Sequence, residues 1–274
     1  MKRVLLLLVS CILVFGIMSA CTKGNESASN KNDGQTSPTS SASPSAGSGP
    51  DPNATVIVAI RGSVLSIDPA NHRDRTTESV LRNLYDPLVI LAPDGTIIPK
   101  IAESWENPSP TEWIFHIRKG IKFHDGSDLT AKDVKFTFDR ILNENAMAGE
   151  TSPRKGLMGP VESVDMLDDY TVRFNLSEPW PIMLRMLPHQ QILPKDYIER
   201  VGDPAWREKP IGSGPYKFVS AKLDERIVLE RFDDYFEGAP KIKNLVFDVI
   251  PEASSRIAAL QAGEVHRITG VSPD

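Results

Sequence analysis

The sequence predicts an α/β fold. Segments in which apolar and polar residues alternate are interleaved with segments in which apolar residues recur every three or four positions. Short clusters of Gly, Pro, Asp and Asn separate the two kinds. Taken in order, Thr55–Ile60 is a short apolar run rich in β-branched residues, the pattern of a buried strand. Asp68-Pro69 marks a turn. From Thr76, the residues Val80, Leu81, Leu84 and Leu88 recur at helical spacing, which predicts a helix stopped by Pro93-Asp94-Gly95. Trp113, Phe115 and Ile117 alternate with Ile114, His116 and Arg118, the two-residue period of a strand.

Thr130 with Asp133 forms a capping-box signature, and Val134, Phe138, Ile141 and Leu142 behind it share one helical face. Tyr170, Val172, Phe174 and Leu176 alternate as a further strand, with residues 161–166 as its hairpin partner across Leu167-Asp168-Asp169. Residues 216–220 and 226–232 predict a second hairpin. Leu245, Phe247 and Val249 predict a strand, and residues 252–262 a helix that Gly263 terminates.

The amino-terminal fifty residues read differently. Lys2 and Arg3 precede an apolar run over residues 4–18 and the small residues Ser19 and Ala20, the pattern of a secretory signal. That run is shorter than the roughly 18–20 residues needed to span a bilayer. Met18-Ser19-Ala20-Cys21 resembles a bacterial lipobox, which implies that the Cys21 thiol carries a diacylglycerol and becomes the new amino terminus. Residues 22–53 are dominated by Ser, Gly, Pro, Asn and Thr, a composition too polar to offset chain entropy by burial, and read as a spacer.

Charge and residue usage exclude several functions for the remaining body. The net charge of -5 argues against nucleic acid, which calls for a basic face. Cys11 and Cys21 are the only cysteines, so the body has no disulfide, thiolate metal site or cysteine nucleophile. There is no Gly-x-Ser-x-Gly elbow, no His-Glu-x-x-His and no Gly-rich loop leading to a lysine. His116 and His124 lie eight residues apart across a turn, which is not a metal-ligand spacing, and His72, His189 and His266 are scattered. No pair of carboxylates stands out for acid–base work. The expectation is a non-enzyme without cofactor or metal.

A resemblance narrows this further. Leu84-Tyr85-Asp86-Pro87-Leu88 and the segment 99–105 (Pro-Lys-Ile-Ala-Glu-Ser-Trp) look like the opening of extracellular solute-binding protein family 5, and the run 115–126 followed by 129–134 is similar to that family's signature segment. Gly212-Ser213-Gly214-Pro215-Tyr216, the segment 231–236 and the helix end 258–264 resemble further motifs of that family, in the same order. The family comprises oligopeptide-, dipeptide- and nickel-binding proteins of ABC importers. The resemblance implies a type II periplasmic-binding-protein-like fold of two lobes that close on a ligand by hinge motion.

On that pattern residues 54–70 and 180–274 form an incomplete first lobe, 71–179 an inserted small α+β domain, 1–20 a signal peptide, and 21–53 the lipidated cysteine and spacer. Family members are about twice as long, so the second lobe is expected to be missing, as from a frameshift or early stop. The residues expected to face the cleft are Arg61, Ser63, Val64 and Ser66 after the first strand, and His189 and Gln190 before Pro194. The implied function is a monomeric peptide receptor, lipid-anchored on the outer face of the cell membrane and docking on permease subunits. If an outer membrane is present, that face is periplasmic. A nickel or metal-chelate receptor and a stand-alone interaction module are the alternatives. His266 stands where the family commonly has Asp.

Overall fold

The computed structural model describes residues 51 and 53–271. The expected signal peptide, Cys21 and the expected spacer through residue 50 lie outside the described residues. The strands are β1 (Thr55–Ile60), β2 (Val89–Leu91), β3 (Ile97–Pro99), β4 (Ala102–Ser109), β5 (Glu112–Ile117), β6 (Val161–Asp168), β7 (Thr171–Leu176), β8 (Tyr216–Lys222), β9 (Arg226–Arg231), β10 (Asn244–Val249) and β11 (Arg267–Ile268). The α-helices are α1 (Arg75–Leu81), α2 (Ala131–Leu142), α3 (Met183–Met186), α4 (Lys195–Val201), α5 (Asp203–Glu208) and α6 (Ala253–Gln261). None of these helices is long and apolar enough to cross a membrane.

Two larger sheets organise the described residues, beside a small antiparallel pair of β2 and β3. The first has the order β11-β1-β10-β9-β8, with β1 parallel to both β10 and β11 and the β8–β9 hairpin antiparallel at one side. Ile60, Ile227 and Leu229 of this sheet pack with Val80 and Leu81 of α1, with Leu84 and Tyr85 beyond it, and with Trp206 of α5. The second sheet, β4-β5-β7-β6, is wholly antiparallel. It packs on α2, where Phe174 meets Phe138 and Phe115 edge to face, with ring centroids 4.7 and 5.2 Å apart. Asp133 Oδ2 accepts the Thr130 N–H at 2.9 Å, the return half of the capping box that starts α2.

The helix expected to run from Thr76 to Pro93 ends at Leu81. The Asn83 side chain donates to the carbonyls of Ser79 and Val80, both at 3.0 Å, and so occupies the last turn. Pro87 then disfavours helical geometry at Asp86. Leu84 and Leu88 are buried, but from irregular chain. Helix α1, placed by the sequence pattern inside the inserted segment 71–179, packs in the core of the five-stranded sheet.

Several of the segments that carry the family resemblance meet one another. Asp86, Lys100, Tyr235 and Glu237 form one cluster: Lys100 pairs with Glu237 and lies 3.5 Å from Asp86, while the Tyr235 hydroxyl sits 3.2 Å from Asp86 Oδ1. Lys100 also lies over the rings of Tyr235 and Phe236. Gly212 and Gly214 pass so close to the backbone of Asn83–Tyr85 that a Cβ on either would fall within 2.5 Å of its atoms. At the far end, Gly263 adopts φ +74° beyond α6, and His266 accepts the Ile57 N–H through Nδ1 at 3.0 Å while donating its own N–H to Ile57 O at 2.8 Å. At that position the imidazole extends the pairing of β1.

Candidate functional site

Because β1, β10 and β11 are parallel and β9 runs against β10, one end of the five-stranded sheet gathers four connections. These are the loop after β1, the β8–β9 turn, the chain after β10 and the chain after β11. Beyond the carboxyl ends of parallel strands, no ladder closes the space and loops can be shaped around a ligand. Two cavities open there. One, of about 250 Å³, is lined by Arg61, Arg75, Thr76, Ser79, Thr269 and Gly270. The other, of about 510 Å³, lies between the loop after β1, α5 and the β8–β9 hairpin, with Leu65, Ser66, Asn71, Arg207, Phe218 and Leu223 among its walls.

The loop after β1 is held from behind. Val64 N–H donates to Leu223 O at 2.8 Å, Leu65 N–H to Thr77 Oγ1 at 2.9 Å, and the Tyr85 hydroxyl to Ile67 O at 3.2 Å. Asp68, fully buried, accepts the Ala70 N–H at 2.9 Å and receives Arg140 Nη2 at 2.7 Å. Arg140 also reaches Asp203 at 2.6 Å and lies over the Trp206 ring. The carboxylates of Asp68 and Asp203 hold the Arg140 guanidinium above its ordinary range despite burial. A buried cation between two carboxylates thus ties the loop to α2 and α5.

The expected cleft residues are distributed unevenly over this site. Arg61 lines the smaller cavity and Ser66 the larger, where its hydroxyl also accepts the Asp68 N–H at 3.0 Å. Ser63 is exposed on the same loop and lines neither cavity. Val64 is 2% exposed and belongs to the core, because its place in the loop is fixed by the backbone bond to Leu223. Its side chain packs in the core and lines neither cavity. Gln190 is 1% exposed and lines neither cavity; its side-chain amide has no hydrogen-bond partner among the described residues.

His189 sits on the far side of α1, its Nδ1 2.8 Å from Glu78 Oε1, while its carbonyl accepts from Arg154. Burial pushes the Glu78 carboxyl up, but the His189 hydrogen bond and the charges of Arg82, His189 and Arg154 outweigh it and bring it down to about 2. Burial and the Arg154 charge push His72, packed on that guanidinium, down to about 4. This cluster joins α1 to Arg154 and His189 and serves cohesion.

Arg75, Thr76, Ser79, Thr269 and Gly270 were not expected. Arg75 and Ser79 are one helical turn apart on the exposed face of α1, a pattern that any solvated helix shows. Thr269 and Gly270 follow a strand only two residues long, which has no readable period. Among the described residues no group of three or more His, Cys, Asp or Glu could hold a metal ion.

A family model described as bacterial extracellular solute-binding proteins, family 5, middle part, matches residues 96–274. The chain belongs to this family. The oligopeptide-binding protein AppA of Bacillus subtilis is 32% identical over 274 residues, covering 97% of this chain and 48% of that protein. The dipeptide-binding protein of Escherichia coli is 34% identical over 232 residues, covering 77% of this chain and 43% of that protein. Among solved structures, the periplasmic binding protein DppA of Helicobacter pylori in complex with the peptide STSA superposes with a TM-score of 0.73 at 30% identity. That match covers 80% of this chain and 47% of that one. Bacillus subtilis AppA in complex with a nonapeptide gives 0.71 at 32% identity, over 79% of this chain and 44% of that one.

The chain thus spans slightly less than half the length of the family 5 proteins it matches. Its fold is that of a type II periplasmic binding protein: the mixed five-stranded sheet of a lobe together with a small α+β unit.

Proposed function

We propose that this chain is the solute-receiving component of an ABC importer for oligopeptides or dipeptides, held on the outer face of the cell membrane by lipid on Cys21. The observation that carries the reading is the gathering of the four connections, with their two cavities, at the carboxyl ends of β1, β10 and β11. Two of the solved relatives that match this part of the fold hold peptides. An extended peptide laid across the loop 61–66 would place side chains toward the cavities on either side, with main-chain hydrogen bonds giving affinity. A face of this kind forms one wall of a ligand cleft. Delivery then follows by docking on permease subunits.

Isothermal titration of the full chain with di- to pentapeptides, free nickel and nickel–histidine tests the ligand class. Saturable binding of peptides without nickel is expected; binding of nickel–histidine alone would replace the peptide reading. Metabolic labelling with a tritiated fatty acid tests the anchor. Cys21→Ser should abolish the label and release the protein from membranes, and retention of both would overturn lipidation at Cys21.

A further inference from the structure

The smaller cavity is lined by positive charge. Arg61 and Arg75 line it together with the hydroxyls of Thr76, Ser79 and Thr269, and among the described residues no carboxylate lines it. Beneath it lies Arg256, 3% exposed. Its guanidinium donates to four neutral acceptors, the carbonyls of Ile250, Pro251, Thr269 and Gly270, at 2.8, 2.6, 2.9 and 2.8 Å. Arg82, Arg140, Arg154, Arg173, Arg207, Arg226 and Arg231 each pair with a carboxylate. Among the described residues Arg61, Arg75 and Arg256 take part in no such pair, nor do Arg73, Arg118, Arg185, Arg200 and Arg267; what sets the first three apart is their convergence on one cavity.

The side chains of Arg61 and Arg256 meet at Gly270, and Arg75 lines the same cavity. A Cβ built on Gly270 would lie 2.9 Å from Arg61 Cδ and 3.5 Å from Arg256 Nη2, so both side chains flank the same backbone atom. Gly270 itself has φ +67°, and the absence of a side chain there keeps the cavity open. Carbonyl dipoles satisfy the hydrogen bonds of Arg256 but leave its net charge uncancelled, and an uncompensated buried charge strengthens the pull on any anion above it. Guanidinium forks with flanking hydroxyls match the planar geometry of a carboxylate.

We infer that the cavity between Arg61, Arg75 and Gly270 receives a carboxylate of the ligand, so that this chain selects acidic solutes over neutral ones. The inference rests on the reading of this face as the peptide site and adds a substrate class to it. The carboxylate comes from an acidic side chain or from the peptide's own carboxyl terminus, and the two are separable.

The experiment titrates the full chain with four tetrapeptides of one sequence, carrying either Glu or Gln at one position and either a free or an amidated carboxyl terminus. A preference of roughly tenfold or more for one carboxylate-bearing member of a pair is expected, the scale of a single charge-assisted hydrogen-bonded contact. It should weaken with added salt. A preference for Glu over Gln assigns the side chain; one for free over amidated ends assigns the terminus. In the double variant Arg61→Gln, Arg75→Gln the preference should fall below threefold, with an unchanged melting curve because both residues are exposed.

If all four peptides bind alike, the carboxylate assignment is overturned while the peptide reading stands. If no peptide binds but glutarate does, in an Arg61-dependent manner, the peptide reading falls and the carboxylate site stands. Binding of none of these ligands overturns both.

Discussion

The imidazole of His124 grips Gly214 across ninety residues of sequence: its Nε2 lies 2.9 Å from the Gly214 carbonyl oxygen, while Nδ1 accepts the Gly212 N–H at 3.1 Å. Only the neutral ring protonated on Nε2 makes both bonds, since an imidazolium has no acceptor. One motif of the family, around His124, thereby clamps another, the Gly-Ser-Gly-Pro-Tyr turn.

This clamp should respond to acid. Burial, the largest cause, pushes His124 down to about 4 from 6.5. The unfolded chain therefore takes up the proton first as pH falls, so the contribution of His124 is complete above pH 6.5 and is lost as pH falls toward 4. The loss is on the order of 3 kcal/mol. The His124 ring protons should titrate near pH 4 by NMR, and a midpoint near 6.5 would refute the arrangement.

Asp86 should act in the opposite sense. Burial pushes it up to about 7, against the pull of Lys100. The folded protein then holds this proton more tightly than the unfolded chain. Its contribution is full below pH 3.8 and is lost as pH rises to about 7, by a few kcal/mol in all. Urea melts of Asp86→Asn at pH 5 and pH 8 should differ less from each other than those of the parent protein. An equal difference in both would show that Asp86 does not titrate in this window.

The turn glycines should not tolerate even a methyl group. A Cβ on Gly214 would sit 2.5 Å from the carbonyl carbon of Leu84, and one on Gly212 would sit 2.1 Å from Leu84 O. These neighbours are backbone and cannot step aside. Gly214→Ala should cost about 3 kcal/mol or more. Gly156→Ala, where nothing lies within 4 Å of the added methyl group, should stay within about 0.5 kcal/mol. Chemical denaturation of the two variants makes the comparison, and similar losses in both would count against the close approach.

Arg140→Met should leave Asp68 and Asp203 buried without their shared cation, at a cost of about 3–5 kcal/mol. Adding Asp68→Asn and Asp203→Asn to that variant should recover part of the loss, because the neutral amides no longer need a counter-charge. No recovery in the triple variant would mean that packing, rather than charge, makes Arg140 matter.

Much of the fold is written in short-range pattern. The alternation around Phe115 and Phe174 specifies β5 and β7, because one face of that sheet packs on Phe138 and the other is more open. The box of Thr130 and Asp133 marks the start of α2 for the same local reason. Strand β4 is less legible: most of its residues are exposed and its register shifts twice, so no alternation survives. The early end of α1 depends on Asn83 and Pro87 more than on the leucines that suggested a longer helix.

The candidate site is legible in the sequence only at its first strand and loop, where Arg61 and Ser66 are expected to face the cleft and each lines one of the two cavities. Residues from α1 and from beyond β11 enter it through tertiary arrangement alone, and Arg256 acts through carbonyls that no residue-type pattern reveals.

The position of β1 between β10 and β11 has a consequence for the order in which the chain can fold. Ile57 bonds to a residue 209 positions downstream, so β1 has no ladder until almost the whole described chain is available. The sheet of β4 to β7 instead closes through neighbouring hairpins and a single longer excursion around α2. Contacts of such different span form on different timescales. Pulse-labelled hydrogen exchange during refolding should protect the amides of Phe115 and Val172 before that of Ile57, and simultaneous protection would show the two sheets to be a single cooperative unit. Until that last pairing, β1 is an apolar strand with both edges open, and the molecule is most exposed to misassembly in the interval.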